Sequence, residues 1–247
     1  MTESSEELDI RRAVRDRYSK LATSNGSDCC AGVSCESPLV KIGEQIPVEA
    51  SSVYAGCGSP LQMINLKEGD SVVDLGSGGG IDIFRASQII GEKGKAIGID
   101  ATPEMIWRAR DTAEKYGDKY RNTEFRLGEI EHLPLASNSV DYVISNCVIN
   151  LSPDKLAVFR ESFRVLKNNG IFAVADITLP KEIPDISRKD LDSWSACIAG
   201  ALTDLEYGRL LQVAGFKEVS IDHVSTTNIG EYSFPYFSSH IKAIKKI

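Results

Sequence analysis

From Ser71 to Asp176 the apolar residues fall into two alternating rhythms. Short runs such as Val72-Val73 with Leu75, Ala96-Ile97 with Ile99, and Val140 with Val143-Ile144 are bounded by glycines or polar residues. Compact apolar runs of this kind mark strands buried on both faces. Between them apolar residues return every three or four positions, the spacing of one helical face. The pattern predicts strands over Ser71–Leu75, Lys95–Ile99, Thr123–Leu127, Val140–Ser145 and Ile171–Asp176. It predicts helices over Ile81–Ile90, from Thr102 to about Tyr116, and from Ser152 to about Leu166. Thr102-Pro103 and Ser152-Pro153 read as an N-cap followed by proline at the first helical position. Gly170 reads as the left-handed residue that closes the third helix. Further on, residues 186–200 and Asp204–Ala214 have helical spacing, Gly215 stops the latter, and Phe216–Val224 and Tyr236–Ile247 complete the set of strands. Strands alternating with helices of this length define an α/β fold, a doubly wound and mostly parallel sheet of seven strands.

Ahead of this region, Leu8, Ile10, Val14, Tyr18 and Leu21 give residues 5–21 a loose helical period, and residues 22–52 read as loop or short turns. The expected division is an N-terminal helix and cysteine-containing arm over 1–52 and one main domain over 53–247. With 247 residues, 42% of them hydrophobic, the chain can bury a single sizeable core. Its 28 basic residues against 35 acidic ones leave a net charge of -7, which argues against nucleic acid or an anionic membrane surface as partner. No run of about 18 apolar residues occurs, so no membrane span is expected. The charged N-terminus lacks the apolar stretch of a leader peptide. The expectation is a cytoplasmic protein, and a monomer, since no apolar stripe is left over once a core is formed.

The first strand runs into Asp74-Leu-Gly-Ser-Gly-Gly-Gly80. Glycines at such a position let a backbone approach a ligand closely and adopt positive φ. The nicotinamide fingerprint G-x-G-x-x-G would need glycine at 81, where the chain has Ile81. The spacing Gly76, Gly78, Gly80 after Asp74, with Ser77 between, instead resembles the first motif of class I S-adenosylmethionine methyltransferases. Asp100 closes the second strand twenty residues after Gly80. A carboxylate there can accept hydrogen bonds from both ribose hydroxyls and would repel a 2′-phosphate. Beyond it, Ala101 and Met105 are candidate cofactor contacts. The superfamily resemblance also implies that the loop after the third strand, Gly128-Glu-Ile-Glu-His-Leu-Pro134, holds the adenine, with Glu129 and Ile130 as candidates. A solvated acidic loop is an equally good reading of Glu131 and His132.

Six cysteines stand at 29, 30, 35, 57, 147 and 197. In a reducing compartment they are expected to be thiols. Three of their neighbourhoods are distinctive: Tyr54-Ala-Gly-Cys57-Gly-Ser-Pro60, Ser145-Asn-Cys147-Val-Ile-Asn150-Leu-Ser-Pro-Asp154, and Trp194-Ser-Ala-Cys197-Ile-Ala-Gly-Ala-Leu202. Over residues 40–245 these segments, in this order, resemble the arsenite S-adenosylmethionine methyltransferases. The resemblance implies a Rossmann-like sheet with an antiparallel last strand, and trivalent arsenic bound as substrate by Cys57, Cys147 and Cys197. It implies S-adenosylmethionine as cofactor, arsenite or its thiol conjugates as substrate, and glutathione or thioredoxin as reductant. Soft trivalent arsenic selects thiolates, and three of them leave its lone pair free to take a methyl group. Asn146, beside Cys147, is expected to bond the cofactor or orient a thiol. Tyr54 stands three residues before Cys57, one more than the family pattern, so no stacking role is carried to it. Cys29, Cys30 and Cys35 suit capture or relay of arsenic as well as a thiol-rich arm without chemistry. Two rival readings share the glycine loop: a methyltransferase acting on a quinone or sterol-like molecule, and a protein that sequesters metalloids without turnover.

Overall fold

A computed structural model of the chain describes residues 4–23, 46–53, 56, 58–182, 191, 194, 197–228 and 235–247. The strands are β1 (Ser71–Leu75), β2 (Lys95–Asp100), β3 (Thr123–Leu127), β4 (Val140–Asn146), β5 (Leu166–Leu179), the two-residue β6 (Leu202–Thr203), β7 (Lys217–Asn228) and β8 (Pro235–Ile244). The helices are α1 (Ser5–Thr23), α2 (Val48–Ser51), α3 (Ile81–Ile90), α4 (Pro103–Tyr116), α5 (Lys155–Val165) and α6 (Asp204–Ala214).

The sheet runs β3-β2-β1-β4-β5-β8-β7, with β6 pairing β5. All pairings from β3 to β5 are parallel, and β8 is antiparallel to both β5 and β7. The last strand is antiparallel, as the resemblance implied. Alternation along each strand feeds two cores. Val73, Ile97 and Val143 join one with Phe159, Tyr207 and Phe216, while Val72, Ala96 and Ile144 join the other with Phe84, Ile106 and Phe125. Both faces are therefore covered, which is why the central strands carry apolar runs instead of polar alternation. From β1 the chain winds outward to β2 and β3, then restarts on the other side with β4 and β5. The carboxyl ends of β1 and β4 thus face a crevice at the point where the winding reverses, the usual ligand position in such sheets.

α1 closes this end of the sheet. Arg108 of α4 donates to the carbonyls of Ala22 and Glu49 and to Ser52 Oγ, at 2.7–2.9 Å, tying α1, α2 and α4 together.

Four sequence expectations are corrected. Thr102 is the N-cap of α4, but its side chain makes no cap hydrogen bond; its amide instead donates to Asp100 Oδ1 at 2.8 Å. α5 starts after Asp154, whose carboxylate accepts from the Ala157 amide at 2.9 Å, so the proline precedes the cap instead of following it. The helix ends at Val165 and β5 begins at once; the left-handed residue is Asn169, φ 64°, inside β5, and not Gly170. Asparagine reaches that region at lower cost than most side chains. Lastly, of the helix expected over 186–200, Leu191 and Trp194 are helical while 197–200 form a turn; the rest of it lies outside the described residues.

Candidate active site

β1 delivers the glycine loop into the crevice. The amides of Gly76 and Ser77 donate to the Ile99 carbonyl at 2.7 and 3.0 Å, and the Gly78 amide donates to Asp100 Oδ2 at 2.9 Å. Gly76 has φ 70°, and a Cβ there would stand 2.4 Å from Val148, so only glycine fits beneath the loop after β4. Gly80 serves the fold: it caps α3 at φ 89°, a Cβ on it would meet Phe125 at 2.7 Å, and it does not line the cleft. Asp74, Gly76, Ser77, Gly78, Asp100, Ala101, Met105, Glu129, Ile130, Asn146 and Cys147 all do, around a space of about 1020 Å³.

The floor of the cleft is acidic. Asp74, Asp82 and Asp100 are buried. Burial pushes the Asp74 carboxyl well above the usual carboxylate range, and the Asp82 and Asp100 charges push it further. Burial also raises Asp82, against the opposing pull of Arg85 and Asn146. It raises Asp100 too, against the amides of Thr102 and Gly78. Asp74 Oδ1 has no hydrogen-bond partner among the described residues. A buried, unpartnered carboxylate beside two others is costly alone and is suited to a cationic ligand.

The sequence reading missed Asp82, Arg11, Arg15 and Tyr18, which also line the cleft. Arg11 pairs with Glu129 at 2.9 Å and with Glu131 at 3.0 Å, and Arg15 also pairs with Glu129. Glu131 is buried and accepts from Ser152 Oγ, so it is no part of a solvated acidic loop. Residues 118 and 120 positions apart form these contacts, and no local pattern signals them.

At the end of β4 the side chain of Asn146 clamps a backbone unit. Its Oδ1 accepts from the Gly58 amide at 3.3 Å and its Nδ2 donates to the Gly58 carbonyl at 2.7 Å. The same Nδ2 lies 3.4 Å from Asp82 Oδ2. Cys147 follows, its amide donating to the Ala175 carbonyl at 2.8 Å. The structure brings Cys197 to it: Cys197 Sγ donates to the Cys147 carbonyl at 2.9 Å, and both sulfurs belong to one buried cluster with Leu151, Ile177 and Tyr236. The turn carrying Cys197 is seated by Trp194, whose indole donates to the Leu151 carbonyl at 3.1 Å. Below it Asn150 Nδ2 donates to Asp176 Oδ1 at 2.9 Å. Burial raises the Asp176 carboxyl to about 7. Burial, then the Asp176 charge, pushes the Cys197 thiol far above the ordinary thiol range, while the Arg17 charge and the nearby Tyr18 hydroxyl pull the other way.

Cys197 is a free thiol, whereas Cys147 is disulfide-bonded, so the two are not joined to each other. This departs from the expectation of thiols throughout; cysteines gathered closely enough to share one soft centre are also placed to oxidise in pairs. Cys57, Tyr54, Cys29, Cys30 and Cys35 lie outside the described residues.

Both described cysteines have positive φ, 56° at Cys147 and 66° at Cys197. Non-glycine residues in this region cost about 1 kcal/mol or more, and such strain tends to gather at functional sites. Replacing Cys197 by glycine and by alanine separates the terms, since both remove the thiol. The glycine variant is expected to be the more stable by about 1 kcal/mol, read from chemical denaturation midpoints. Equal midpoints, or a more stable alanine variant, would show that the backbone is not strained there.

A doubly wound sheet with a glycine loop and buried carboxylates at its switch point is the architecture of a class I methyltransferase, and a model described as a methyltransferase domain matches residues 66–215. The arsenite methyltransferase of Halobacterium salinarum is 41% identical over 232 residues, covering 86% of this chain and 59% of the relative. The human arsenite methyltransferase is 39% identical over 180 residues, 70% of this chain and 48% of the relative. The crystal structure of an arsenic(III) S-adenosylmethionine methyltransferase from Chlamydomonas reinhardtii superposes with a TM-score of 0.72 at 32% identity, covering 82% of this chain and 71% of that one. The chain belongs to the arsenite methyltransferase family. It spans roughly half to three-fifths of the length of the curated relatives it matches.

Proposed function

We propose that this protein transfers methyl groups from S-adenosylmethionine to trivalent arsenic held by thiolates of Cys57, Cys147 and Cys197, giving methylated arsenicals and S-adenosylhomocysteine. The observation that carries the reading is the meeting of Cys147 and Cys197. The two lie 50 positions apart in sequence, yet their contact is 2.9 Å, and Cys147 itself lines the acidic cleft. Cys57 enters through the family motif; its neighbour in the chain, Gly58, is the residue clamped by Asn146.

The cleft suits the cofactor. S-adenosylmethionine carries a sulfonium and an ammonium group, and the cleft offers three buried carboxylates, one with an unpartnered oxygen. Asp74 and Asp82 would hold the cationic end. Asp100, each of whose oxygens already accepts one backbone amide, keeps lone pairs for the ribose hydroxyls. Ala101, Met105 and Ile130 would form apolar walls, and Glu129, steadied by Arg11 and Arg15, would face the adenine. The bound cofactor supplies an electrophilic methyl carbon, which the arsenic lone pair takes as a neutral thioether departs. Arsenic carries no proton, so the chain has no base to provide. Its work is to hold three sulfurs, keep water out and fix the approach, and positioning of this kind can lower a barrier by several kcal/mol.

A thiol reductant, glutathione or thioredoxin, returns Cys147 from its disulfide to the thiol form before it can ligate, which suits a cytoplasmic protein. A monomer suffices, because the cleft and both described sulfurs come from one chain. The test is to incubate the purified full chain with arsenite, glutathione and S-adenosylmethionine. The expected result is methylated arsenic, with one S-adenosylhomocysteine for each methyl transferred. Arsenite binding without methylated product would overturn the enzyme and leave a sequestering protein.

A further inference from the structure

The turn that carries Cys197 is fixed at its C-terminal end by β6, where Leu202 pairs with Thr178 of β5, and by Gly200, on which a Cβ would stand 2.0 Å from the Asn150 carbonyl oxygen. On the N-terminal side the fixing group is Trp194. Its carbonyl accepts from the Cys197 amide at 2.9 Å, and its indole N–H donates to the Leu151 carbonyl at 3.1 Å. Leu151 belongs to the loop that follows Cys147, so one aromatic residue bridges the two cysteine-bearing segments. Lys155 completes the contact. It is the first residue of α5 and is buried. Burial and the positive end of the helix dipole both disfavour an ammonium group there, and its partners offset that cost. Its Nζ donates to the Ser152 carbonyl at 2.9 Å and lies 5.2 Å from the centre of the Trp194 ring, within the range at which an indole face attracts a cation. In sequence, Lys155 closes the segment that holds Cys147, and Trp194 opens the one that holds Cys197.

We propose that Trp194 and Lys155 are positioning residues for Cys197, a clasp that holds its turn against the loop after Cys147 before substrate arrives. The inference rests on the reading of Cys197 as a ligand of arsenic. Sulfurs on separate segments must lie within reach of one small centre, and a turn free to swing away would have to be ordered at each binding event. A clasp already closed in the free protein removes that cost. Once the sulfurs hold arsenic, those bonds keep the turn in place, and the clasp has no part in the transfer of the methyl group. It should therefore act on the arsenite KM and leave kcat alone.

Trp194→Phe removes the indole N–H and keeps a ring. Lys155→Met removes the ammonium and keeps most of the stem, and Lys155→Arg keeps a cation over the indole. Steady-state methylation by the full chain, with glutathione and S-adenosylmethionine, should give an arsenite KM about 3- to 10-fold higher in the first two variants, the worth of one hydrogen bond or one cation–π contact. Their kcat should stay within about twofold of the parent, and Lys155→Arg should match the parent in both constants. A second measurement needs no arsenic: labelling of the reduced protein by a small methanethiosulfonate, read peptide by peptide. Trp194→Phe and Lys155→Met should each speed labelling at Cys197 by about 3-fold or more, with a smaller change at Cys147, which β4 and the Ala175 carbonyl hold independently. Parent values of KM and of labelling in both variants overturn the proposal. Equal acceleration at the two sulfurs, or a fall in kcat at constant KM, also overturns it, since either means a general loosening of the fold. If the parent protein methylates no arsenite, the proposed function fails, while the labelling comparison still decides for or against the clasp.

Discussion

Cys147→Ser and Cys197→Ser, each made alone, are expected to lower arsenite methylation by about a hundredfold or more while the protein stays folded. The expectation rests on the softness of arsenic: serine has the shape of cysteine, yet its smaller oxygen is a hard ligand and stays protonated, so one of three strong bonds to the substrate is lost. The fold has little reason to object. A serine at 197 can still donate to the Cys147 carbonyl, as the thiol does at 2.9 Å. The backbone strain at φ 66° is unchanged. Serine at 147 keeps the amide bond to the Ala175 carbonyl, and under the reducing conditions of the assay the Cys147 disulfide is open in the parent as well. Product formation by chromatography, together with the arsenite Kd, checks both variants. Full activity in either would remove that sulfur from the site, and with it the requirement for three thiolates.

The parts of this site that sequence revealed are those governed by neighbours along the chain. The buried strands of the Ser71–Ile177 region announce themselves because burial on both faces demands apolar runs. The loop after β1 does so because a backbone at φ 70° over Val148 admits only glycine. Helix starts were harder. Ser152-Pro153-Asp154 offers two capping side chains two residues apart, and Asp154 prevails because its carboxylate reaches the Ala157 amide while Ser152 Oγ is drawn to Glu131. The same long-range pull hid the role of Glu131 itself. Its partner Arg11 sits on a helix that sequence spacing identifies as a helix and nothing more. Tyr18 was visible only as an apolar position in that helix. Its packing against the cluster that holds Cys197 depends on how α1 lies across the carboxyl ends of the strands, a tertiary fact. The convergence of Cys147 and Cys197 was legible through family resemblance, whereas their shared left-handed backbone has no counterpart in residue type, because cysteine has no preference for that region.

Asp74→Asn is expected to stabilise the free protein at neutral pH and to weaken cofactor binding, two effects of opposite sign from one atom. Burial and two neighbouring carboxylates hold the Asp74 carboxyl above its ordinary range. In an unfolded chain it would ionise near the usual 3.8, so between that value and its raised folded value the native state carries the extra proton. Stability therefore falls as pH rises through this interval, and above it the free protein bears the full cost of an ionised buried group. Asparagine carries no charge and removes that cost, for a gain of about 1–3 kcal/mol. The gain should shrink as pH is lowered toward 4, where Asp74 is itself protonated. A cationic cofactor reverses the balance, because it turns the repelled carboxylate into one half of a charged pair. S-adenosylmethionine affinity in the parent should accordingly rise with pH over the same interval, each binding event releasing a proton. In Asp74→Asn the affinity should be about 10- to 100-fold lower at pH 7.5, the range for a lost charge-assisted bond, with less pH dependence. Thermal midpoints with and without S-adenosylmethionine at pH 5 and 7.5, together with calorimetric Kd values, test both halves. A variant that binds the cofactor as tightly as the parent would place the positive end of the ligand away from Asp74. A variant less stable than the parent at pH 7.5 would mean that the Asp74 carboxylate is already satisfied in the free protein.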